Sequence, residues 1–370
     1  MTSRTQVLIA GGGTAGHLLP GLATARALVA AGYDAETIHF VGADRGPEAD
    51  LVPQEGFSVE VLPGRGIQRR LTAANIGAVL DLLRAMWRGI AIVRRRRPDV
   101  VVVLGGYASF ACGIGAAILR RPLVLLEQNA RAGAVNRVLR WFATASAVSF
   151  AGTDLPRSTV TGNPLRPEIR RMADHPDPAT SRSALGLPVD RTVIAVFSGS
   201  LGSRRINEAV RGLVERWADR DDLAIRHVVG RRDWDQYSAE APRPPVDGLH
   251  YQTVAYEERM ELLLDAADLA VTRSGGGVFE LMATGVPAIL VPLPIAPRDH
   301  QRANADSVVA SGGAVVVADS EFDTDRLEQE LGRLLADPVR LATMAAAMRG
   351  AATVDAAEKA AAVVMGAAGG

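Results

Sequence analysis

Gly11, Gly13 and Gly16 stand at G-x-G-x-x-G spacing immediately before His17. A glycine turn between a strand and a helix lets backbone N–H groups approach a phosphate, and a helix N-terminus adds about half a positive charge. The same spacing marks dinucleotide loops, but that reading needs an acidic residue ending the second strand, ~20 residues on, to hold a ribose. Here Asp34 and Glu36 precede the "TIHFVG" run, and Asp44 follows it at a poor position. His17 has no task in a dinucleotide loop. An imidazole titrates near neutrality, so His17 suits the removal of a proton from a hydroxyl. It reads equally as a fixed hydrogen-bonding residue of the turn.

The second half carries further candidates. Gly199 and Gly202 form another turn between a strand-like run and a helical one, and Ser274 to Gly277 lead into a helix whose first turn holds Glu280. A carboxylate there is favoured by the helix dipole, and it could also accept both hydroxyls of a ribose. Asp299, His300, Gln301 and Asn304 cluster at another helix start, as sugar-binding groups or as caps. The reading requires no metal and no cofactor for the chemistry. Cys112, the single cysteine, excludes an internal disulfide and reads as a buried thiol.

These residues need elements to position them. Short β-rich runs ("QVLIA", "ETIHFVG", "PDVVVVLGG", "PLVLLEQN") alternate with helical segments, which implies parallel sheets covered on both faces. The pattern pauses in the Pro-, Asp- and Ser-containing stretch up to Arg191 and restarts at "TVIAVF". The expectation is an α/β chain of two Rossmann-like domains facing a deep cleft: an N-terminal domain over 1–166, a linker over 167–190, a C-terminal domain over 191–340, and a helical segment over 341–370 that packs back or frays. Acidic and basic residues balance at 41 each, which gives no argument for nucleic acid. Residues 100–119 are uncharged over about the length of a spanning helix, ~20 residues, but Gly105-Gly106 interrupts them, so they read as strand, loop and helix. No secretory signal is read at the N-terminus.

The ordered set GGT-x-GH, "GGY", "LEQN", "TGNPLR", "SGSLGS", Glu280 on its glycine-led helix and "DHQ" resembles the MurG family of GT-B glycosyltransferases. Members move GlcNAc from UDP-GlcNAc to the 4-hydroxyl of MurNAc in undecaprenyl-linked lipid I, with inversion, giving lipid II. The resemblance implies that Thr14, Ala15, Gly16 and His17 lie near the diphosphate and the acceptor, with Tyr107 also at the substrate. For the chemistry His17 is the leading candidate for general base, with Glu127 as second candidate or orienting group. It implies donor contacts at Asn129, Arg166 and Ser200. Tyr256 and the Glu257 backbone lie beside the uracil, Gly276 and Gly277 at the phosphates, Glu280 on the ribose and Gln301 on the GlcNAc hydroxyls. Ala15, Phe110, Ala111 and Leu201 depart from the usual residues, and the "SGGG" loop lacks a usual hydroxyl.

A lipid-borne acceptor implies a peripheral enzyme on the cytoplasmic face of the plasma membrane, with other cell-wall synthesis proteins as partners. Ile76, Leu80, Leu83 and Trp87 recur at helical spacing among Arg69, Arg70, Arg84, Arg88 and Arg94 to Arg97, the composition of an interfacial helix attracted to anionic lipid. An ordinary core-facing helix is the other reading. The alternatives for function are a UDP-sugar transferase with another acceptor, and a UDP-GlcNAc epimerase built on the same fold.

Overall fold

The computed structural model describes residues 5–44, 46–62, 74–199 and 201–369, with the backbone alone at 15 and 74–83. The chain divides into two units, Met1–Arg166 with Thr353–Gly370, and Pro167–Ala352.

In the first unit, β1 (Val7–Ala10), β2 (Ile38–Ala43), β3 (Ser58–Leu62), β4 (Val100–Val103), β5 (Leu123–Glu127), β6 (Ala145–Val148) and β7 (Ser158–Val160) form a sheet in the order 3-2-1-4-5-6-7. Every pairing is parallel; Val7 lies beside Val100 and Ala10 beside Val103. Strands covered on both faces have no polar side to show, which is why "VLIA" and "VVVV" carry no alternation. Val7 and Ile9 point into a core shared with the helix Ala15–Ala30, whereas Leu8 and Ala10 point to the opposite core beneath the helices Ala74–Arg96 and Tyr107–Ile118. Those two helices touch closely: a Cβ on Gly89 would lie 2.7 Å from the Ala111 carbonyl carbon. Cys112 is wholly buried between them, and burial pushes its thiol pKa up to about 12, so it is a packing residue.

In the second unit, β8 (Thr192–Phe197), β9 (Leu223–Val228), β10 (His250–Val254), β11 (Leu269–Thr272), β12 (Ala288–Leu290) and β13 (Ala314–Val316) repeat the plan in the order 10-9-8-11-12-13. In each sheet the chain leaves its first strand in one direction and later returns to that strand's other side. Ligands of open parallel sheets bind at such a switch point, beyond the carboxyl ends of the strands. The loops after β1 and β4 flank the first switch point, and those after β8 and β11 the second.

Two boundaries differ from the sequence reading. Residues 167–190, read as a linker, hold the helices Pro167–Asp174 and Pro178–Leu185 and belong to the second unit. Each has only eight residues, too few to display an apolar period, yet Asp177 caps the second through the Thr180 N–H and Gly186 ends it at φ 70°. Ile169 and Leu185 are buried. The C-terminal stretch 341–370 is likewise not one segment. Pro338–Ala351 stays with the second unit, whereas Ala360, Ala361, Val364 and Ala367 of the helix Ala356–Ala368 enter the core of the first.

Candidate active site

The loop after β1 has an unusual hydrogen-bond balance. Gly11 donates its N–H to the Val41 carbonyl (2.9 Å), Gly12 to the Gly105 carbonyl (3.3 Å), and Gly13 to the Glu48 carboxylate. A dinucleotide cradle turns such donors toward a pyrophosphate. Here all three are spent inside the protein and a carboxylate lies behind them, which removes the dinucleotide reading. Gly11, Gly12 and Gly13 have φ of 141°, 126° and 82°, a conformation glycine adopts without penalty. Ser109 stitches the two loops of this switch point together. Its buried hydroxyl lies 2.6 Å from the Ala10 carbonyl and accepts the N–H groups of Leu104 and Gly105 at 3.1 and 3.0 Å.

Thr14 precedes the helix Ala15–Ala30 in extended geometry, and its hydroxyl does not cap the helix. Thr14 Oγ1 instead lies 2.8 Å from His17 Nδ1. The rest of the imidazole sits over the loop after β4, where a Cβ on Gly105 would come within 3.3 Å of Nε2. Gly16 is exposed beside them, and Ala15 follows Thr14 in the backbone. Tyr107 opens the helix Tyr107–Ile118 behind Gly106, itself at φ 85° and too close to the Gly12 carbonyl to carry a side chain. His17, Thr14, Gly16 and Tyr107 therefore lie on the two loops of one switch point.

Glu127 ends β5 and is 3% exposed. One oxygen accepts the backbone N–H and the side-chain amide of Asn129, both at 3.1 Å. The other accepts the Gly133 N–H at 2.8 Å and the Asn136 amide at 2.9 Å. Four donors leave the carboxylate no lone pair aimed outward. Of the two roles the sequence left open, the geometry fits the orienting one, with Asn129 as the residue oriented. Arg166 lies half-buried at the last position of the first unit's long segment.

In the second unit, Ser200 lies outside the described residues. Its flanking turn is tightly built: a Cβ on Gly202 would overlap the Val229 carbonyl, and Ser203 caps the helix Arg204–Arg216. Arg273, at the end of β11, donates to Ser203 Oγ at 2.6 Å and pairs with Asp319 at 2.6 Å, so it ties the two loops of the second switch point together. Gly276 and Gly277 begin the helix Gly277–Thr284, with half-buried Glu280 in its first turn. Gln301 is anchored from behind: its Oε1 accepts the Leu293 N–H at 3.0 Å, which leaves its amide nitrogen near Gly275, 3.8 Å from where a Cβ would stand. Ser274 donates to the Gln301 carbonyl at 2.7 Å, and Asn304 donates to the Ser274 carbonyl at 3.0 Å. Arg298 and Asp299 both take φ near 55°, and Asp299 makes no side-chain cap, so the capping explanation of this cluster fails for it.

Tyr256 is partly exposed after β10, with the Arg231 guanidinium 4.4 Å from its ring centre. The Glu257 side chain is committed to Arg226 (2.7 Å to Nε) and to the Arg259 N–H. Its side chain is therefore engaged within the protein.

The side chains of Ile76, Leu80 and Leu83 lie outside the described residues. Further along that helix Ala85, Gly89, Ile92 and Val93 are buried, whereas Arg84, Trp87 and Arg88 face outward and Trp87 is 73% exposed. The basic run at its end is less available than its sequence suggests. Arg95 holds Glu60 at 2.6 and 2.7 Å and Arg96 joins at 3.3 Å. Among the described residues, no helix is long and apolar enough to cross a membrane and no group of three His, Cys, Asp or Glu could hold a metal.

Sequence reasoning missed Glu48, Ser109 and Arg273. Each makes a contact far away in the chain that its neighbours in sequence do not announce.

Two parallel-sheet units, each with paired loops at its own switch point, are the architecture of the GT-B fold. Residues 7–148 match the N-terminal domain, and residues 193–360 the C-terminal domain, of glycosyltransferase family 28. The chain is 37% identical to the UDP-N-acetylglucosamine–N-acetylmuramyl-(pentapeptide) pyrophosphoryl-undecaprenol N-acetylglucosamine transferase of Moorella thermoacetica, over 92% of this chain and 93% of that one. It superposes on MurG of Acinetobacter baumannii with a TM-score of 0.77 at 26% identity, over 98% and 99% of the two chains. The UDP-GlcNAc 2-epimerase of Neisseria meningitidis gives a TM-score of 0.67 at 13% identity over 98% and 100%, a likeness of fold alone. The chain belongs to glycosyltransferase family 28 and, within it, to the MurG family.

Proposed function

We infer that the protein transfers GlcNAc from UDP-GlcNAc to N-acetylmuramyl-(pentapeptide) pyrophosphoryl-undecaprenol. The near-full-length identity to a transferase named for that reaction carries the inference. The acceptor is lipid I and the product lipid II. In the proposed step the MurNAc 4-hydroxyl oxygen attacks the anomeric carbon, its proton passes to His17 Nε2, the bond from that carbon to the phosphate oxygen breaks, and UDP leaves with the electron pair. This direct displacement inverts the anomeric centre. His17 takes the role if it donates Nδ1–H to Thr14 Oγ1, which leaves the lone pair on Nε2. Glu127 holds Asn129, Glu280 takes the ribose hydroxyls, and the Gln301 amide donates to GlcNAc hydroxyls. Charge on the departing UDP would be met by Arg166, Ser200 and the N–H groups at Gly276 and Gly277, and the step calls for no metal or other cofactor.

Lipid I is membrane-borne, and the exposed face of Arg84, Trp87 and Arg88 supports contact with an anionic membrane surface, as does a second exposed pair, Trp141 and Phe142. The Arg140 guanidinium lies 4.7 Å from the Trp141 ring centre. The protein would then act as a peripheral enzyme on the cytoplasmic face. Incubation with radiolabelled UDP-GlcNAc and a short-chain lipid I analogue should give labelled disaccharide. Epimerisation of the donor without acceptor, with no transfer, overturns the inference.

A further inference from the structure

Among the described residues Glu48 is the least exposed carboxylate, at 0%. It opens the helix Glu48–Gln54, and its side chain occupies a space kept clear by three glycines. A Cβ on Gly12 or Gly46 would overlap the carboxylate oxygens, and one on Gly42 would lie 2.6 Å from Glu48 Cγ. One oxygen accepts the Gly13 N–H, and the other is buried with no hydrogen-bond partner among the described residues. A buried carboxylate with a bare oxygen is unfavourable, and an apolar residue would fill the space at less cost. Packing alone therefore does not account for it. Gly13 has open space where a Cβ would stand, so its glycine answers to φ 82° and not to crowding. The hydrogen bond to Glu48 holds that turn, and Thr14 and His17 follow directly from it.

We propose that Glu48 is a positioning residue for transfer: by accepting the Gly13 N–H it fixes the turn that presents Thr14 and His17 to the acceptor hydroxyl. This rests on the reading that the first unit holds the acceptor. The donor residues of the second unit are untouched by it. In the full-length protein, Glu48→Ala should lower kcat/KM for the lipid I analogue at least tenfold while KM for UDP-GlcNAc stays within twofold. Glu48→Gln, whose carbonyl can accept the same N–H, should recover most of that loss. Gly46→Ala leaves every ionisable group in place but crowds the carboxylate, so it should reproduce the acceptor-side loss and add nothing to Glu48→Ala. Amide hydrogen exchange gives a readout independent of transfer: the 10–20 segment should exchange faster in Glu48→Ala, or in Gly46→Ala should Glu48→Ala not fold. Unchanged exchange there, or donor and acceptor parameters falling in parallel, overturns the proposal. Absence of transfer by the unaltered protein would instead sink the functional reading and leave exchange to decide this one.

Discussion

Thr14 Oγ1 lies 2.8 Å from His17 Nδ1, a contact between two side chains on the same turn of backbone. If the hydroxyl accepts from Nδ1–H, that tautomer leaves Nε2 to take a proton, and in the proposed mechanism the pair and not the histidine alone makes the base. His17→Ala should lower kcat ~100-fold or more with little change in KM for UDP-GlcNAc. Thr14→Val, which keeps the shape and removes the acceptor, should cost roughly tenfold, the effect of one hydrogen bond. Steady-state kinetics of both variants check this; near-normal kcat in His17→Ala would remove it as base.

Glu127 meets four N–H donors, two of them from Asn129. Glu127→Gln would turn an NH2 group toward buried donors, leaving at least one unpaired at about 1–3 kcal/mol. Both stability and turnover should fall. If Glu127 acts through Asn129, Asn129→Ala and Glu127→Ala should be strongly non-additive in kcat. Additive losses would show that the carboxylate works on its own.

Gln301 is fixed by the Leu293 N–H, so its amide nitrogen is the end left to meet a sugar. Gln301→Glu keeps the anchoring acceptor but removes the donors. The variant should raise KM for UDP-GlcNAc about tenfold, near 1.4 kcal/mol, and leave inhibition by UDP unchanged. Equal weakening of UDP would place Gln301 on the nucleotide instead.

His227 is wholly buried between Asn207 Oδ1 and the Tyr251 hydroxyl, each at 3.0 Å, and burial pushes its pKa down to about 3. An imidazole in the unfolded chain titrates near 6.5. The unfolded state therefore binds a proton that the folded state refuses. The stability is fully present above about pH 6.5 and is lost as pH falls toward 3, at about 1.4 kcal/mol per pH unit. Urea midpoints between pH 7 and pH 4.5 should show at least that slope, because burial also lowers the His39 and His250 imidazoles. His227→Gln should flatten it by one proton even if it lowers stability throughout. An unchanged slope would mean the histidine is not held neutral.

How much was legible follows the range of the interactions. Runs such as "VVVV" and "LVLLE" announce strands because a doubly covered sheet wants apolar residues at every position, and the glycine turns fall at strand ends because helices must start there. His17, Glu280 and Gln301 could be singled out because each stands in a local motif. Glu48 could not, since the glycines around it acquire meaning only when β1 and β2 lie side by side. The pairing within the basic run Arg94 to Arg97 was hidden for the same reason: Glu60, on β3, engages Arg95 and Arg96 across the fold.

That pairing sharpens the membrane prediction. A cation already held by Glu60 has less charge to offer an anionic surface than Arg88, which faces outward one residue beyond exposed Trp87. An arginine near anionic lipid contributes about 1 kcal/mol, and an aromatic side chain adds apolar burial that salt does not screen. Arg88→Ala should therefore weaken binding to anionic vesicles about fivefold and Arg95→Ala less. Trp87→Ala should weaken binding to neutral and anionic vesicles alike. Co-sedimentation at low and high salt separates the two contributions. If Arg95→Ala matched Arg88→Ala, the bond to Glu60 would have to open at the membrane; if Trp87→Ala bound as the parent does, this helix would not be the face that meets lipid.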